Sequence, residues 1–454
     1  MIDIDAERPE VDGSYETDEA NNPKLPPFRA ASASQFSWGS LDGEDFSHSL
    51  SATYAEVVHW RRNIFLVPSG TAGKAFVMEY SRLIRAFVER SALEAVALKA
   101  IMVIPHLLLQ KPHPSSTSKD HQACLERRMS AWKEGDIDGL VREGRTLQPH
   151  LRTHPFKPND NKTCIFAKLM MEGKTTAAIR LLSDGDNGHV LSLDDSVESG
   201  SSVRDVLKEK HAAAQPIHAE VIIDSAEAQP EVHPVFFERI TGKTIRNAAL
   251  RLSGSAGPSG LDAAGLRRLC VSFNAASDDL CQSIAALTRR LCTDLVDPAS
   301  MEAFVACRLI PLNKNPGVRP TGVCECLRRL VGKTTPLAVG QYVREVTGAL
   351  QLCTGQSAGI EAAIHTMRDI FIDDECEDIL LVDARNAFNT LNRQVALHNV
   401  NRLCPALGKV LINTYCTALP QTCLWVARAS NRRKAQSRET NLPWPCMPLP
   451  PFPS

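Results

Sequence analysis

Hydrophobic residues recur at helical spacing through much of the first half of the chain. Within residues 76–93 the apolar positions are three or four residues apart, which places them on one face of an α-helix. These positions are Phe76, Val77, Tyr80, Leu83, Ile84 and Phe87. The same pattern dominates residues 54–110 and predicts further helices over residues 166–182 and 202–211. Between these blocks, the Pro, Ser and Thr residues of 111–119 predict a linker.

The second half of the chain combines helical patterns with two strand-like segments. Helices are predicted at 243–251, 263–291, 359–371 and from about Thr390 onward. Residues 308–319 begin with an apolar strand and continue into a Pro-Gly turn. Residues 379–382 are four consecutive apolar residues, a pattern that predicts a strand buried on both sides. The pattern as a whole predicts an α+β fold class.

The first 50 residues show no such periodicity. They contain eleven acidic and three basic residues and are rich in Ser, Asn and Pro, which predicts a disordered acidic tail. The net charge of the whole chain is −1, but this value is the sum of −8 in the tail and +7 in the remaining residues. A mildly basic remainder is compatible with a polyanionic partner such as a nucleic acid.

The composition excludes several classes of protein. The chain has 454 residues, of which 43% are hydrophobic and 23% are charged, so it is neither wholly disordered nor collagen-like. No stretch approaches the roughly 20 apolar residues of a spanning helix, so we expect no membrane partner. The 14 cysteines are scattered, without zinc-ligand spacing, and the N-terminus is acidic. These features predict an intracellular protein, in the nucleus or the cytoplasm, with reduced thiols.

One candidate for metal chemistry is the segment 379–393. The predicted strand ends at Asp383, and Phe388 follows five residues later. A carboxylate at the end of a buried strand lies at the edge of a sheet, where it can bind a hard divalent cation through oxygen. The alternative is a carboxylate that only caps the end of the strand.

Two cations lie on either side of the predicted Pro-Gly turn. Lys314 and Arg319 are five residues apart and could clamp phosphate groups, Lys as a point charge and Arg as a bidentate fork. The alternative is a solvated turn with ordinary surface charges. Further upstream, residues 257–262 read GPSGLD, which taken alone is a turn with two glycines.

The order and spacing of these segments resemble those of reverse transcriptases, particularly the enzymes of non-LTR retroelements. Residues 379–393 resemble the first carboxylate motif of the family, and GPSGLD resembles the segment that precedes its fingers. Residues 308–323 resemble its fingers hairpin, including the Arg319-Pro320 pair. The loop 355–359 fits the segment ahead of the carboxylate motif. The resemblance covers about 236–441.

The resemblance implies a role for each candidate residue. Asp383 would be catalytic and bind Mg²⁺, with the backbone carbonyl of Ala384 as a further metal ligand. Phe388 would exclude a 2′-hydroxyl beside the sugar of the incoming nucleotide. Lys314 and Arg319 would hold the triphosphate of that deoxynucleotide. The implied partners are an RNA template, a DNA primer and deoxynucleoside triphosphates, while the residues that contact nucleic acid and the oligomeric state are not indicated.

The implied architecture has four parts. An acidic tail at 1–50 precedes a mostly helical N-terminal region at 51–235. The fingers and partial palm of a right-hand polymerase follow at 236–441. The proline-rich residues 442–454 differ in composition from a palm core, so we expect an out-of-frame tail produced by a frameshift or a wrong splice junction.

The sequence departs from the family at the second carboxylate motif. The family carries an aromatic-x-Asp-Asp hairpin after the first motif, but here Glu439 is the one acidic residue after Asp383. A single carboxylate does not complete a site for two metal ions. We therefore expect RNA-templated DNA synthesis in the family but no polymerase activity in this truncated chain. The alternatives are a non-catalytic nucleic-acid-binding or interaction remnant and a translated pseudogene that does not fold stably.

Overall fold

The computed structural model describes most of the chain between residues 43 and 425. The described residues are 43–60, 63–150, 162–183, 190–197, 200–210, 232–314, 317–348, 351–352, 357–372, 378, 380, 382, 391–415 and 423–425. Most of the predicted acidic tail lies outside them. Its predicted boundary at residue 50 is wrong, however, because residues 43–50 are helical and Leu50 is fully buried.

Five helices form the first half of the fold. They are α1 (Gly43–Val57), α2 (Thr71–Val88), α3 (Glu94–Leu108), α4 (Ser118–Glu134) and α5 (Ile137–Leu147). The helix predicted at 76–93 is confirmed as α2, and all six of its periodic apolar residues are buried. It ends before Leu93 because Arg90 adopts a left-handed backbone conformation, with φ of 54°, that a helix does not accommodate. The predicted linker at 111–119 is largely confirmed, since Thr117 caps the start of α4.

Three short helices follow and overturn one prediction. They are α6 (Lys162–Met171), α7 (Thr175–Ser183) and α8 (Val203–Lys210). The single helix predicted at 166–182 is wrong because Gly173, with φ of 69°, breaks it into α6 and α7. The short helix predicted at 202–211 is confirmed as α8.

The next four helices lead into the small sheet. They are α9 (Gly242–Leu250), α10 (Ala263–Val271), α11 (Ala275–Thr293) and α12 (Pro298–Val305). The helix predicted at 243–251 is confirmed as α9. The one predicted at 263–291 is instead two helices, α10 and α11, because Asn274 has φ of 49° between them.

A three-stranded sheet and four more helices complete the described fold. The strands are β1 (Cys307–Asn313), β2 (Val318–Cys324) and β3 (Cys423–Trp425), in the order β2-β1-β3. The helices are α13 (Cys326–Thr347), α14 (Gly359–Ile372), α15 (Arg393–Leu403) and α16 (Pro405–Tyr415). Strand β1 is antiparallel to β2 and parallel to β3. The described part of the chain is therefore mostly helical with a small sheet, which confirms the α+β class.

The predicted strand at 379–382 is wrong at the two positions that the structure describes. Leu380 and Val382 are 87% and 82% exposed and belong to no strand. The preceding helix α14 is confirmed, but its apolar residues Ile360, Ile364 and Phe371 are also exposed. Periodicity identified the apolar face of α14, whereas it carried no information about what covers that face.

The helical core is centred on the packing of α2 against α11. Ser81 on α2 donates a hydrogen bond to Asp279 on α11 at 2.8 Å, and Arg85 donates to the same carboxylate at 2.5 Å. Buried residues from α1 to α5 and from α9 to α13 belong to one hydrophobic cluster, which continues into α15 and α16. None of the described helices has the length and apolar character needed to cross a bilayer.

An ion pair between Arg128 of α4 and Glu143 of α5 joins these two helices to each other. Arg128 also connects them to the end of α3. Arg128, almost fully buried, donates hydrogen bonds to the carbonyls of Leu108 and Gln110 and to the carboxylate of Glu143. Arg127 donates two more bonds to Glu143 from the solvent side. Burial raises the pKa of the Glu143 carboxyl, but these hydrogen bonds outweigh burial and hold the pKa below its ordinary value of 4.5.

We predict that Glu143→Gln destabilises the fold at neutral pH but not in acid. A carboxyl group whose pKa is lowered by folding stabilises the protein above its unfolded-state pKa. At pH 7 the free energy of unfolding should fall by about 1–2 kcal/mol. The difference should shrink as the pH falls from 4.5 through the lower pKa of folded Glu143, because the wild-type carboxylate becomes protonated over that range. Urea denaturation at several pH values measures this, and Glu134→Gln at an exposed position is the control. A pH-independent difference would contradict the prediction.

Candidate phosphate-binding hairpin

The two long strands, β1 and β2, form an antiparallel hairpin. Asn313 is opposite Val318, and the backbone N–H of Lys314 donates to the carbonyl of Gly317 at 3.0 Å. Gly317 has φ of 96°, a left-handed conformation that glycine adopts without strain. The strand predicted at the start of 308–319 is confirmed, while Asn315 and Pro316 of the predicted turn lie outside the described residues.

The hairpin places Lys314 and Arg319 on the same face. Opposite residues of an antiparallel pair project to one side, and Arg319 is opposite Leu312. Lys314 lies two residues beyond Leu312 and therefore shares its face. Diagonal neighbours of this kind are about 7–8 Å apart between backbones. Both cations are exposed, and within the described part of the chain neither forms an ion pair.

The other face of the hairpin is supported by a small second core. Leu309 of β1 and Val318 of β2 pack against Leu193, Val203 and Leu207, which come from the segment before α8 and from α8 itself. The ammonium of Lys210 donates to the carbonyl of Val318. The buried face thus fixes the orientation of the strands and leaves the two cations facing solvent.

Two prolines define the hydrogen-bond pattern of the hairpin. Pro311 and Pro320 are directly opposite each other. Since proline has no backbone N–H, this pair must occupy a rung that exchanges no hydrogen bonds. The bond between Lys314 and Gly317, three rungs away, gives the same alternation. The hydrogen-bonded rungs are therefore those of Leu312–Arg319 and of every second pair from it.

The base of the hairpin is held by the carboxylate of Glu325, between β2 and α13. Glu325 is buried and accepts hydrogen bonds from the backbone N–H of Ser259 and from its hydroxyl, the latter at 2.8 Å. Ser259 belongs to the GPSGLD segment at 257–262. A buried carboxylate needs such donors, because an unsatisfied charge in the interior is costly. The contact fastens the segment that precedes the hairpin in the chain to the residue that follows it.

Arg329, one turn into α13, completes this clamp. Its guanidinium donates to the carbonyls of Ser253 at 2.9 Å and Ser255 at 2.5 Å. Gly257 lies so close that a Cβ there would meet the carbonyl oxygen of Cys324 and the Cα of Glu325 at 2.7 Å. We call the contacts of Glu325, Arg329, Ser259 and Gly257 the Glu325 clamp.

The Glu325 clamp also contacts the N-terminal helices. His106 of α3 forms a 2.8 Å hydrogen bond with the carbonyl of Pro258. Burial raises the pKa of Tyr80 well above its ordinary value, and the nearby charge of Glu325 raises it further. Burial likewise raises the pKa of Tyr54, with contributions from Glu302 and Glu325. Glu325 therefore lies near Tyr54 of α1 and Tyr80 of α2, where these helices approach the base of the hairpin.

Sequence reasoning missed Glu325 and Arg329. Both are charged, yet both are buried beside Cys326, Leu327 and Leu330 at the start of α13. Charged residues four positions apart within an apolar stretch are the signal that could have identified them. Their partners at 253–259 are distant in sequence, so nothing local indicated the contact.

The described structure does not include the other predicted site residues. Asp383, Ala384 and Phe388 lie outside the described residues, as do Gly355 and Gln356 of the predicted loop. Within the described part of the chain, no group of three or more His, Cys, Asp or Glu side chains could hold a metal ion. The roles assigned to Asp383, Ala384 and Phe388 stay predictions.

We predict that Gly257→Ala weakens the Glu325 clamp. The added methyl would collide with backbone atoms at 2.7 Å, so the chain must shift. The expected loss is about 1–3 kcal/mol in the free energy of unfolding. Gly340→Ala in α13 is the matched control, because its methyl meets open space and removes a helix-destabilising glycine. Denaturant unfolding should show loss for the first variant and no loss for the second; equal behaviour would refute the close approach.

Comparison with known proteins adds no assignment. Neither a protein-family model nor a curated protein matches this chain. The functional conclusion therefore depends on the residue chemistry and on the geometry of the hairpin and the Glu325 clamp.

Proposed function

We propose that this chain is a reverse-transcriptase-like protein of the non-LTR retroelement type and that its hairpin binds the triphosphate of a deoxynucleotide. The observation that carries the proposal is the placement of Lys314 and Arg319 together on the exposed face of a supported hairpin. The segments at 236–441 would then be fingers and a partial palm, acting with an RNA template and a DNA primer.

The chemistry of the two cations suits a triphosphate. A guanidinium presents two parallel N–H donors to phosphate oxygens, and an ammonium adds a compact positive charge beside them. A separation of about 7–8 Å between the two backbones matches a chain of linked phosphates better than a single small anion. The supported opposite face keeps both cations oriented, which lowers the entropy lost on binding.

The Glu325 clamp supports treating GPSGLD and the hairpin as one unit. GPSGLD precedes the hairpin by about 45 residues, yet Ser259 bonds directly to Glu325 at the hairpin base. This contact agrees with an ordered set of motifs that fold together, as the resemblance implies. It also gives GPSGLD a structural role that does not require contact with a substrate.

The ligands proposed for Mg²⁺ supply only part of the site that polymerisation requires. The carboxylate of Asp383 and the carbonyl of Ala384 are oxygen ligands, which suit Mg²⁺. A two-metal site requires further carboxylates, and the one acidic residue after Asp383 is Glu439. Asp383 and Ala384 alone do not complete such a site. Phe388, by resemblance, would exclude a 2′-hydroxyl at the sugar.

We predict that Lys314→Gln and Arg319→Gln each weaken binding of a deoxynucleoside triphosphate by roughly tenfold or more, because each removes a charge-assisted phosphate contact. Arg319→Lys should restore only part of the affinity, since an ammonium lacks the bidentate fork. Titration with a fluorescent deoxynucleoside triphosphate measures the dissociation constant. Lys74→Gln, on the exposed side of α2, is the control. Unchanged affinity in both hairpin variants would contradict the proposed site.

We predict that the purified 454-residue chain does not extend a DNA primer on an RNA template. RNA binding that weakens steeply as the salt concentration rises, without incorporation, would favour the alternative of a non-catalytic nucleic-acid-binding remnant. The +7 charge outside the first 50 residues is the observation that favours this alternative. Primer extension that Asp383→Asn abolishes would overturn the prediction of inactivity.

A further inference from the structure

Two cysteines face each other at the base of the hairpin. Cys307 begins β1, Cys324 ends β2, and the two are directly opposite in the strand register. They lie four rungs from the Pro311–Pro320 pair and so occupy the same kind of rung, one without hydrogen bonds. The Cα atoms of such pairs are about 4.5 Å apart, inside the range of about 4.4–6.8 Å that a disulfide spans.

The two thiols also project to the same side of the sheet. Opposite residues share a face, and Gly322 lies on that face two positions before Cys324. The sulfur of Cys307 is 3.5 Å from the position that a Cβ on Gly322 would take, so this thiol leans across β2. Both cysteines are partly exposed and can be reached by a small oxidant, unlike the fully buried Cys270 and Cys292.

A cation lies beside the pair. The guanidinium of Arg328 is 3.8 Å from the sulfur of Cys324 and donates to the carbonyl of Val305 at 2.9 Å. It is also stacked over the ring of Tyr415, 5.2 Å from the ring centre. These contacts hold the Arg328 guanidinium in place beside the sulfur of Cys324.

We propose that Cys307 and Cys324 are a reversible thiol–disulfide pair that staples the base of the hairpin under oxidising conditions. Hydrogen peroxide is the oxidant. The Cys324 thiolate attacks one peroxide oxygen, the O–O bond breaks, and the sulfur becomes a sulfenic acid while hydroxide leaves and takes up a proton. The sulfur of Cys307 then attacks that sulfenic sulfur, its proton leaves with the second hydroxyl as water, and the S–S bond forms. Two thiols are oxidised and one hydrogen peroxide is reduced to two waters.

The proposal does not depend on nucleotide binding. It concerns the base of the hairpin, whereas Lys314 and Arg319 lie at the tip. In an intracellular protein such a bond is expected to be transient and reversible by dithiols. Cys423 is opposite Cys307 in the parallel pairing of β1 with β3, so it is the competing partner that an experiment must exclude.

The test uses the full chain treated with hydrogen peroxide, alkylated, digested with trypsin and analysed by tandem mass spectrometry. We expect a linked pair of peptides, 291–308 and 315–328, with the bridge at Cys324 and with loss of two hydrogens. The link should disappear with dithiothreitol and in Cys307→Ser or Cys324→Ser. It should persist in Cys423→Ser and in Cys164→Ser, the latter an exposed cysteine on α6.

Three outcomes would overturn the proposal: no linked peptides from folded wild-type protein, a bridge from Cys307 to Cys423 in place of Cys324, or a bridge that forms only in urea. The wild-type assignment does not depend on any variant folding correctly. Circular dichroism of the reduced variants shows whether each serine substitution keeps the helical fold, so that loss of the link is attributable to loss of the thiol.

Discussion

The buried carboxylate of Glu325 is the interaction on which the arrangement of this molecule depends. It stands between β2 and α13, so whatever fixes Glu325 also fixes where the hairpin leaves the helical body. Its donors come from Ser259, and Arg329 holds the carbonyls beside that segment. Moving a charge out of water is expensive, and these contacts offset the expense only in this geometry. The junction therefore favours one arrangement of segments over others of similar hydrophobic burial.

The helical body provides the rigid base to which this junction is attached. The packing of α2 on α11 brings together parts of the chain about 200 residues apart, through Ser81, Arg85 and Asp279. At the far end of α11, Asn413 of α16 donates to the carbonyls of Leu291 and Asp294. Among the described residues, the hairpin packs on the small core around Val318, which is separate from the core of the helical body.

The sequence predicted the features that depend on residues close together in the chain. The periodicity of α2 is strong because its six apolar residues are all buried, and the shared face of Lys314 and Arg319 follows from strand alternation across a short turn. The breaks at Gly173 and Asn274 were missed because each depends on one residue in a left-handed conformation, which apolar spacing does not indicate. Glu325 and Arg329 were missed because their partners lie 66 or more residues away. At 379–382 the error was the reverse: the apolar run predicted burial, but Leu380 and Val382 are exposed. An apolar run does not specify which part of the chain will cover it.

The facing prolines Pro311 and Pro320 restrict how the two strands of the hairpin can align. A slip of one residue between β1 and β2 would bring either Pro311 or Pro320 onto a rung that requires an N–H, and a ladder bond would be lost. The same slip would turn Lys314 and Arg319 to opposite sides of the sheet. Two residues that contribute no hydrogen bond between the strands thus act as a lock against misalignment, and they keep the paired positive charges on one side.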